Sequence, residues 1–172
     1  MKRVNHIFVW LSRSFYCRGF GIQSPTDYRF VRYVINEHWP YYAYQDLGTH
    51  DDWLTIKLGR LYFRLANELQ PDTILDQVGM SSYLKSGCRK SRFVSDSREA
   101  QLALMTIGKE VVDAMERVPN HATIVVQGIN KNRHCWEQLI NSERATISFD
   151  LYYCGIILLD RAQSVKHYTI NF

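Results

Sequence analysis

Thr73-Ile74-Leu75-Asp76-Gln77-Val78-Gly79 decides how this chain is read. A short apolar run carries an acid at its end and a glycine three positions later, the pattern of a strand entering a turn. Ahead of it stands the clearest helix in the sequence. From Thr55 to Leu69, the residues Leu58, Leu61, Tyr62, Leu65, Ala66 and Leu69 fall at i, i+3, i+4, i+7, i+8 and i+11, which is one apolar face, and Gln70-Pro71-Asp72 ends it. Behind it, residues 80 to 90 allow only a short helix, and Arg92-Phe93-Val94-Ser95-Asp96 reads as a second strand ending in a carboxylate.

Working outward, the near-helical recurrence of Leu102, Met105, Val112 and Met115 predicts one long helix from Arg98 to Val118, closed by Pro119-Asn120. Ile124-Val125-Val126 gives a third strand, followed by a helical segment around Trp136, Leu139 and Ile140. Thr146 to Leu151 alternates, Tyr152-Tyr153-Cys154-Gly155 can turn, and Ile156 to Leu159 returns as an apolar run, so an antiparallel pair is expected; His167 to Phe172 supplies a last strand. Alternating strands and helices with a hairpin at the end imply an α/β fold. The sheet is mostly parallel with antiparallel C-terminal strands at one edge, and the Ile74 strand is central between the Arg92 and Ile124 strands.

Toward the N-terminus, Asn5 is positioned to cap a helix with an apolar face of Ile7, Trp10, Leu11 and Phe15. The stretch Gly19-Phe20-Gly21-Ile22-Gln23-Ser24-Pro25-Thr26-Asp27 admits three readings: a catalytic loop, a ligand clamp, or the start of a helix. Local physics favours the last. Ser24 is a good N-cap, Pro25 suits the first helical position, Asp27 stands where an acid answers the cap, and the glycines supply positive φ. That helix carries Phe30, Val31, Val34 and Ile35 and stops before Pro40. Tyr41, Tyr42 and Tyr44 then either line a site or pack among themselves. Residues 1–56 are taken as a helical cap segment and 57–172 as the α/β domain, together one compact unit.

The 172 residues are about one domain long, 46% apolar and 13% aromatic, which excludes a disordered chain. The formal charge of +4 is unevenly placed: Lys2, Arg3, Arg13, Arg18, Arg29 and Arg32 face only Asp27, and an acidic stretch with Glu37, Asp46, Asp51 and Asp52 follows. Two solvated faces explain this better than a nucleic-acid or membrane surface. Cys17, Cys88, Cys135 and Cys154 are widely spaced, which argues against zinc and against a disulfide framework. Arg13 interrupts the N-terminal apolar run and no cleavage site follows, so a cytoplasmic protein is expected.

Three groups of residues resemble one family: Gly19-Phe20-Gly21-Ile22-Gln23-Ser24-Pro25; Lys57-Leu58-Gly59-Arg60-Leu61-Tyr62-Phe63-Arg64-Leu65-Ala66-Asn67 leading to Pro71-Asp72-Thr73-Ile74-Leu75-Asp76; and Ile147 through Asp150, Gly155 and Ile156 to Lys166-His167-Tyr168-Thr169-Ile170. Together they resemble class I S-adenosylmethionine-dependent methyltransferases, in particular a small-molecule O-methyltransferase-like group known largely from Bacteroidetes. In that group a His stands where this chain has Gln23. The resemblance implies a reduced Rossmann-like sheet. It also implies that Asp76 and Gly79 form the turn at the methionine part of S-adenosylmethionine and that Asp96 takes the ribose hydroxyls.

The departures from the family pattern point to degeneration. The turn Asp76-Gln77-Val78-Gly79-Met80-Ser81-Ser82 holds one glycine, the span to Asp96 is short, and one long helix between Asp96 and Ile124 would leave two strands of the family pattern missing, the fourth among them. After Val126 comes Gln127-Gly128-Ile129-Asn130, without the carboxylates that metal-dependent members use, so no metal is expected. His50, His121 and His134 are the remaining candidate bases, and each reads more simply as a surface residue. Two functions stay open: a methyltransferase acting on a small-molecule acceptor, or a relative with weakened or lost catalysis serving as a binding or scaffold module. The second is favoured. Lys85, Arg89, Lys90, Arg92 and Arg98 raise nucleic acid as a third partner, against which stands the lack of any recognised motif. Exposed sheet edges would suit a homodimer.

Overall fold

The computed structural model describes residues 2–49, 51–159 and 164–172, with the side chains of residues 2–5 and 17–18 outside that description. His50 and the Cys17 side chain, both weighed above, thus lie outside the described residues. The strands, numbered along the chain, are β1 (Thr73–Asp76), β2 (Arg92–Val94), β3 (Leu102–Thr106), β4 (Thr123–Gln127), β5 (Ile147–Asp150), β6 (Cys154–Leu158) and β7 (Lys166–Thr169). They form one sheet in the order β2-β1-β3-β4-β6-β5-β7. The helices are α1 (Lys2–Ser12), α2 (Pro25–Phe30), α3 (Trp53–Leu69), α4 (Ser81–Gly87), α5 (Lys109–Met115) and α6 (Arg133–Ile140).

Strand β1 is interior, as its apolar run predicts, yet its second neighbour is β3 and not the Ile124 strand. The predicted long helix over 98–118 is in fact β3 followed by α5. Leu102, Ala103, Leu104 and Met105 are each no more than 2% exposed. An interior parallel strand buried on both faces shows no alternation, so its apolar spacing merged with that of α5 into a false helical period. One strand is therefore present between β2 and β4, where only a helix was expected.

The sheet separates two cores, and strand alternation shows which side chain serves which. Ile74, Leu102, Leu104 and Val125 face Leu61, Tyr62 and Leu65 of α3, Leu84 of α4, and Val31, Val34 and Ile35. Leu75, Ala103, Met105 and Val126 face Val111 and Met115 of α5 and Trp136 and Leu139 of α6. Burial of Val31, Val34 and Ile35 in the first core attaches the N-terminal segment directly to the α/β layers.

The C-terminal hairpin forms with β5 antiparallel to β6, but β6 is not at an edge. It lies between β4 and β5, and the edge strand β7 runs parallel to β5. The crossover through α6 sets β5 one strand-width away from β4, and β6 returns to fill the gap. Its Gly155 belongs to the strand and not to the turn: an added Cβ would lie 2.2 Å from Cη2 of Trp136. The turn is made by Leu151 to Tyr153, with Tyr152 at φ 71°.

At the N-terminus, α1 already begins at Lys2, so Asn5 lies inside the helix and not at the position that precedes it. The expected apolar face does not enter the core: Ile7, Trp10 and Leu11 of α1 are 59%, 52% and 53% exposed, and Phe15, beyond the end of that helix, is 84% exposed. The start-of-helix reading of the glycine stretch is the one the structure adopts. Gly19 and Gly21 have φ of 80° and 85°, Ser24 caps α2 by accepting the Asp27 N–H at 3.3 Å, and Pro25 opens the helix. The helix then widens into a π turn over Val31–Ile35.

The Asp27 carboxylate does not answer the cap as expected. Buried to 3%, it accepts from Lys166 Nζ at 3.0 Å and from the Tyr168 hydroxyl at 2.8 Å, both on β7. Burial and this acceptor push the Tyr168 hydroxyl up to about 12.

Replacing Asp27 with Ala removes the buried acceptor that a half-buried lysine and a half-buried hydroxyl share. We expect a loss of about 1–2 kcal/mol, read from the urea midpoint, because both donors keep partial access to water; an unchanged midpoint would refute this anchor. Gly155→Ala should cost about 1–3 kcal/mol in the same assay, since the fully packed Trp136 ring has no room to retreat.

Candidate functional site

Strands β1 to β4 run parallel and end at one rim, and the order reverses beside β1: the chain steps one way to β2 and the other way from β3 to β4. The crevice at such a reversal, outside the carboxyl ends of the strands, is where open α/β sheets bind ligands. Here it is a cavity of about 430 Å³ bordered by Leu75, Gln77, Asp96, Arg98, Met105 and Asp113.

Of the three residues assigned to the cofactor, the structure brings only Asp96 to this crevice. Asp76 ends β1 on the alternate side of the pleat from Leu75 and Gln77, toward Tyr62. Its Oδ1 accepts the N–H groups of Val78 and Gly79, each at 3.0 Å, closing the turn on itself. Gly79 has φ 84° and nothing within 4 Å of where a Cβ would stand, so its conformation needs glycine while its surroundings are open. Asp96 is held by Arg98, whose Nε and Nη2 approach Oδ2 at 2.9 Å and 2.7 Å while its backbone N–H donates to Oδ1 at 2.9 Å. These contacts hold the Asp96 carboxyl below its ordinary value. Both carboxylate oxygens that a ribose diol would approach thus already accept from Arg98, in a pair that stays exposed to water.

Beside the crevice the rim is closed by buried polar groups. The Tyr62 hydroxyl donates to Gln127 Oε1 at 2.9 Å, and burial pushes that hydroxyl far above its ordinary value. Burial also drives the Cys154 thiol up, which leaves it protonated and unreactive near neutrality. At the end of β5, Asp150 is bracketed by Arg13 at 2.7 Å and Arg133 at 2.6 Å. Arg13 also donates to the carbonyls of Asp150 and Ile170, tying the end of α1 to the rim. The His6 ring hydrogen-bonds to the Tyr153 hydroxyl and packs on Trp53 with centroids 4.6 Å apart.

His121 and His134 are exposed and away from the crevice lining. Four of the five cations raised as a nucleic-acid surface have local partners: Lys85 the Ser91 carbonyl, Lys90 Asp72, Arg92 Glu99, and Arg98 Asp96. Among the described residues, no group of three or more His, Cys, Asp or Glu side chains is placed to hold a metal ion, and no helix is long and apolar enough to cross a membrane. No known protein family, curated protein or solved structure matches this chain.

A second set of functional candidates escaped the sequence reading. Lys57, Arg60 and Arg64 sit at i, i+3 and i+7 on α3, on a face that reads as solvated because cations at helical spacing normally are. Their spacing was visible in the sequence; the chain segment that covers them was not.

Asp150 sets a pH limit on the rim. Burial alone would raise its carboxyl, but Arg133, Arg13 and the Tyr152 N–H outweigh it and hold the folded value below the ordinary 3.8. A depressed folded value means the stabilisation is complete above the unfolded value and lost as pH falls through the folded one. Stability measured by urea midpoint should therefore decline below pH 3.8, and Asp150→Asn should flatten that decline while lowering stability at neutral pH.

Proposed function

We propose that this chain is a class I methyltransferase-like domain whose crevice has weakened for S-adenosylmethionine and which serves as a binding or scaffold module. The observation that carries this reading is the Asp96–Arg98 pair: the acid that the resemblance assigns to the ribose is closed by a guanidinium two residues away. Asp76 adds to it, since its carboxylate oxygen closes its own turn and that turn has one glycine where the family pattern has two. The order reversal beside β1 supports the family reading at the level of the fold.

A working methyltransferase is the second reading. It is favoured by the retained β3 strand, which makes the sheet less reduced than the sequence implied, and by the unobstructed turn at Gly79.

Melting in S-adenosylmethionine separates the two. If affinity is no better than about millimolar, about 1 mM cofactor adds only RT ln 2, roughly 0.4 kcal/mol; a micromolar site adds about 4 kcal/mol and shifts Tm by several degrees. We expect the small shift in the native chain and a larger one in Arg98→Ala, where Asp96 is released. A shift of several degrees in the native chain that disappears in Asp96→Ala would establish the enzyme reading instead.

A further inference from the structure

A second cavity lies apart from the crevice. A groove of about 480 Å³ runs between the segment after the π turn and the cationic face of α3, a volume in the range of small-molecule sites. Its lining includes the rings of Trp39, Tyr41 and Tyr44, the cations Lys57 and Arg60, and Phe172.

The walls are built in advance of any ligand. Arg64, 6% exposed, donates from Nε to the Val34 carbonyl at 2.6 Å and from Nη2 to the Ile35 carbonyl at 2.9 Å, fixing the end of the N-terminal helical segment to α3. Tyr41 and Tyr44 pack edge-on against each other and against Phe63, with centroids 5.1–5.4 Å apart. Lys57 Nζ lies 4.6 Å from the Phe172 ring centroid and 5.0 Å from that of Trp53, and the Arg60 guanidinium lies 4.8 Å from that of Tyr44. Aromatic faces position these two cations without neutralising them.

Among the described residues neither Lys57 nor Arg60 has an ion-pair partner. The single carboxylate side chain in the lining, Glu37, turns back to accept the N–H groups of His38 and Trp39 at 2.9 Å and 3.2 Å. Lys57 is buried enough that its amine is pulled below its ordinary value. A further polar group is unmatched: Asn36, 7% exposed and part of the same lining, has a buried Nδ2 without a hydrogen-bond partner, a rare condition in native folds.

We propose that this groove binds a small aromatic carboxylate, its ring against the Trp39–Tyr41–Tyr44 wall and its carboxylate on Lys57 and Arg60. Lys57 supplies charge where burial and neighbouring rings thin the water, so an anion gains more there than on an open surface, and the exposed Arg60 adds a second donor at the mouth. The flat, apolar walls select a ring in preference to a flexible chain. The proposal does not depend on how the crevice treats S-adenosylmethionine, and its test contains none.

The probe is indole-3-carboxylate, titrated by calorimetry against the full chain, with indole-3-carboxamide as the uncharged match. A dissociation constant of about a millimolar or tighter is expected for the carboxylate, in line with the efficiency of a ligand of roughly a dozen atoms. The amide should bind about tenfold more weakly, as should the carboxylate to Lys57→Gln or Arg60→Gln, the scale of a lost charge-assisted contact. Arg60 is exposed, so Arg60→Gln remains informative if Lys57→Gln lowers Tm. Phe8→Ala, on the exposed α1 surface, should leave the affinity unchanged. Equal binding of amide and carboxylate, undiminished binding in both cation variants, loss of binding in Phe8→Ala, or no saturation at about 10 mM would each overturn the proposal.

Discussion

A carboxylate withdrawn from water is tolerable only with its partners in place, and Asp27 meets that condition through Lys166 and Tyr168 of β7, residues at the other end of the chain. That contact joins the N-terminal segment to the edge strand. With α2 so held, Val31, Val34 and Ile35 enter the core under α3, and Arg64 can reach the carbonyls that end the π turn. Arg13 repeats the arrangement one step along, crossing from the end of α1 to Asp150 and Ile170. The groove is a product of these long-range polar contacts and belongs to no single element.

Helix α3 serves two sides at once. Its apolar stripe of Leu58, Leu61, Tyr62, Leu65 and Ala66 is buried against the sheet, while Lys57 and Arg60 look into the groove and Arg64 fastens the covering segment. A helix with an ordinary amphipathic pattern thereby carries a cationic site on what looks like its solvent face. The rim of the sheet contrasts with it: there the carboxylates already accept from near neighbours, Asp76 Oδ1 from its own turn and Asp96 from Arg98. In the groove, Lys57 and Arg60 face open volume, and among the described residues aromatic rings, not carboxylates, stand against their charges.

Local sequence determined the elements whose signals are local. The periodic face of α3, the acid-then-glycine end of β1, the Ser24-Pro25 start of α2 and the β5–β6 hairpin could all be read from spacing and cap chemistry, because each depends on residues within a few positions of one another. Only the tertiary structure decided the rest. Leu102 to Met105 became a strand because neighbours on both faces and both edges bury it, a condition that erases the period-two signal. Asp27 turned from its own helix to β7, Asp96 was closed by Arg98, and the cations of α3 acquired an aromatic cover from the chain before it. Except for Arg98, these partners lie too far along the chain for any local pattern to register them, and even Arg98 is chosen by side-chain geometry that composition does not encode.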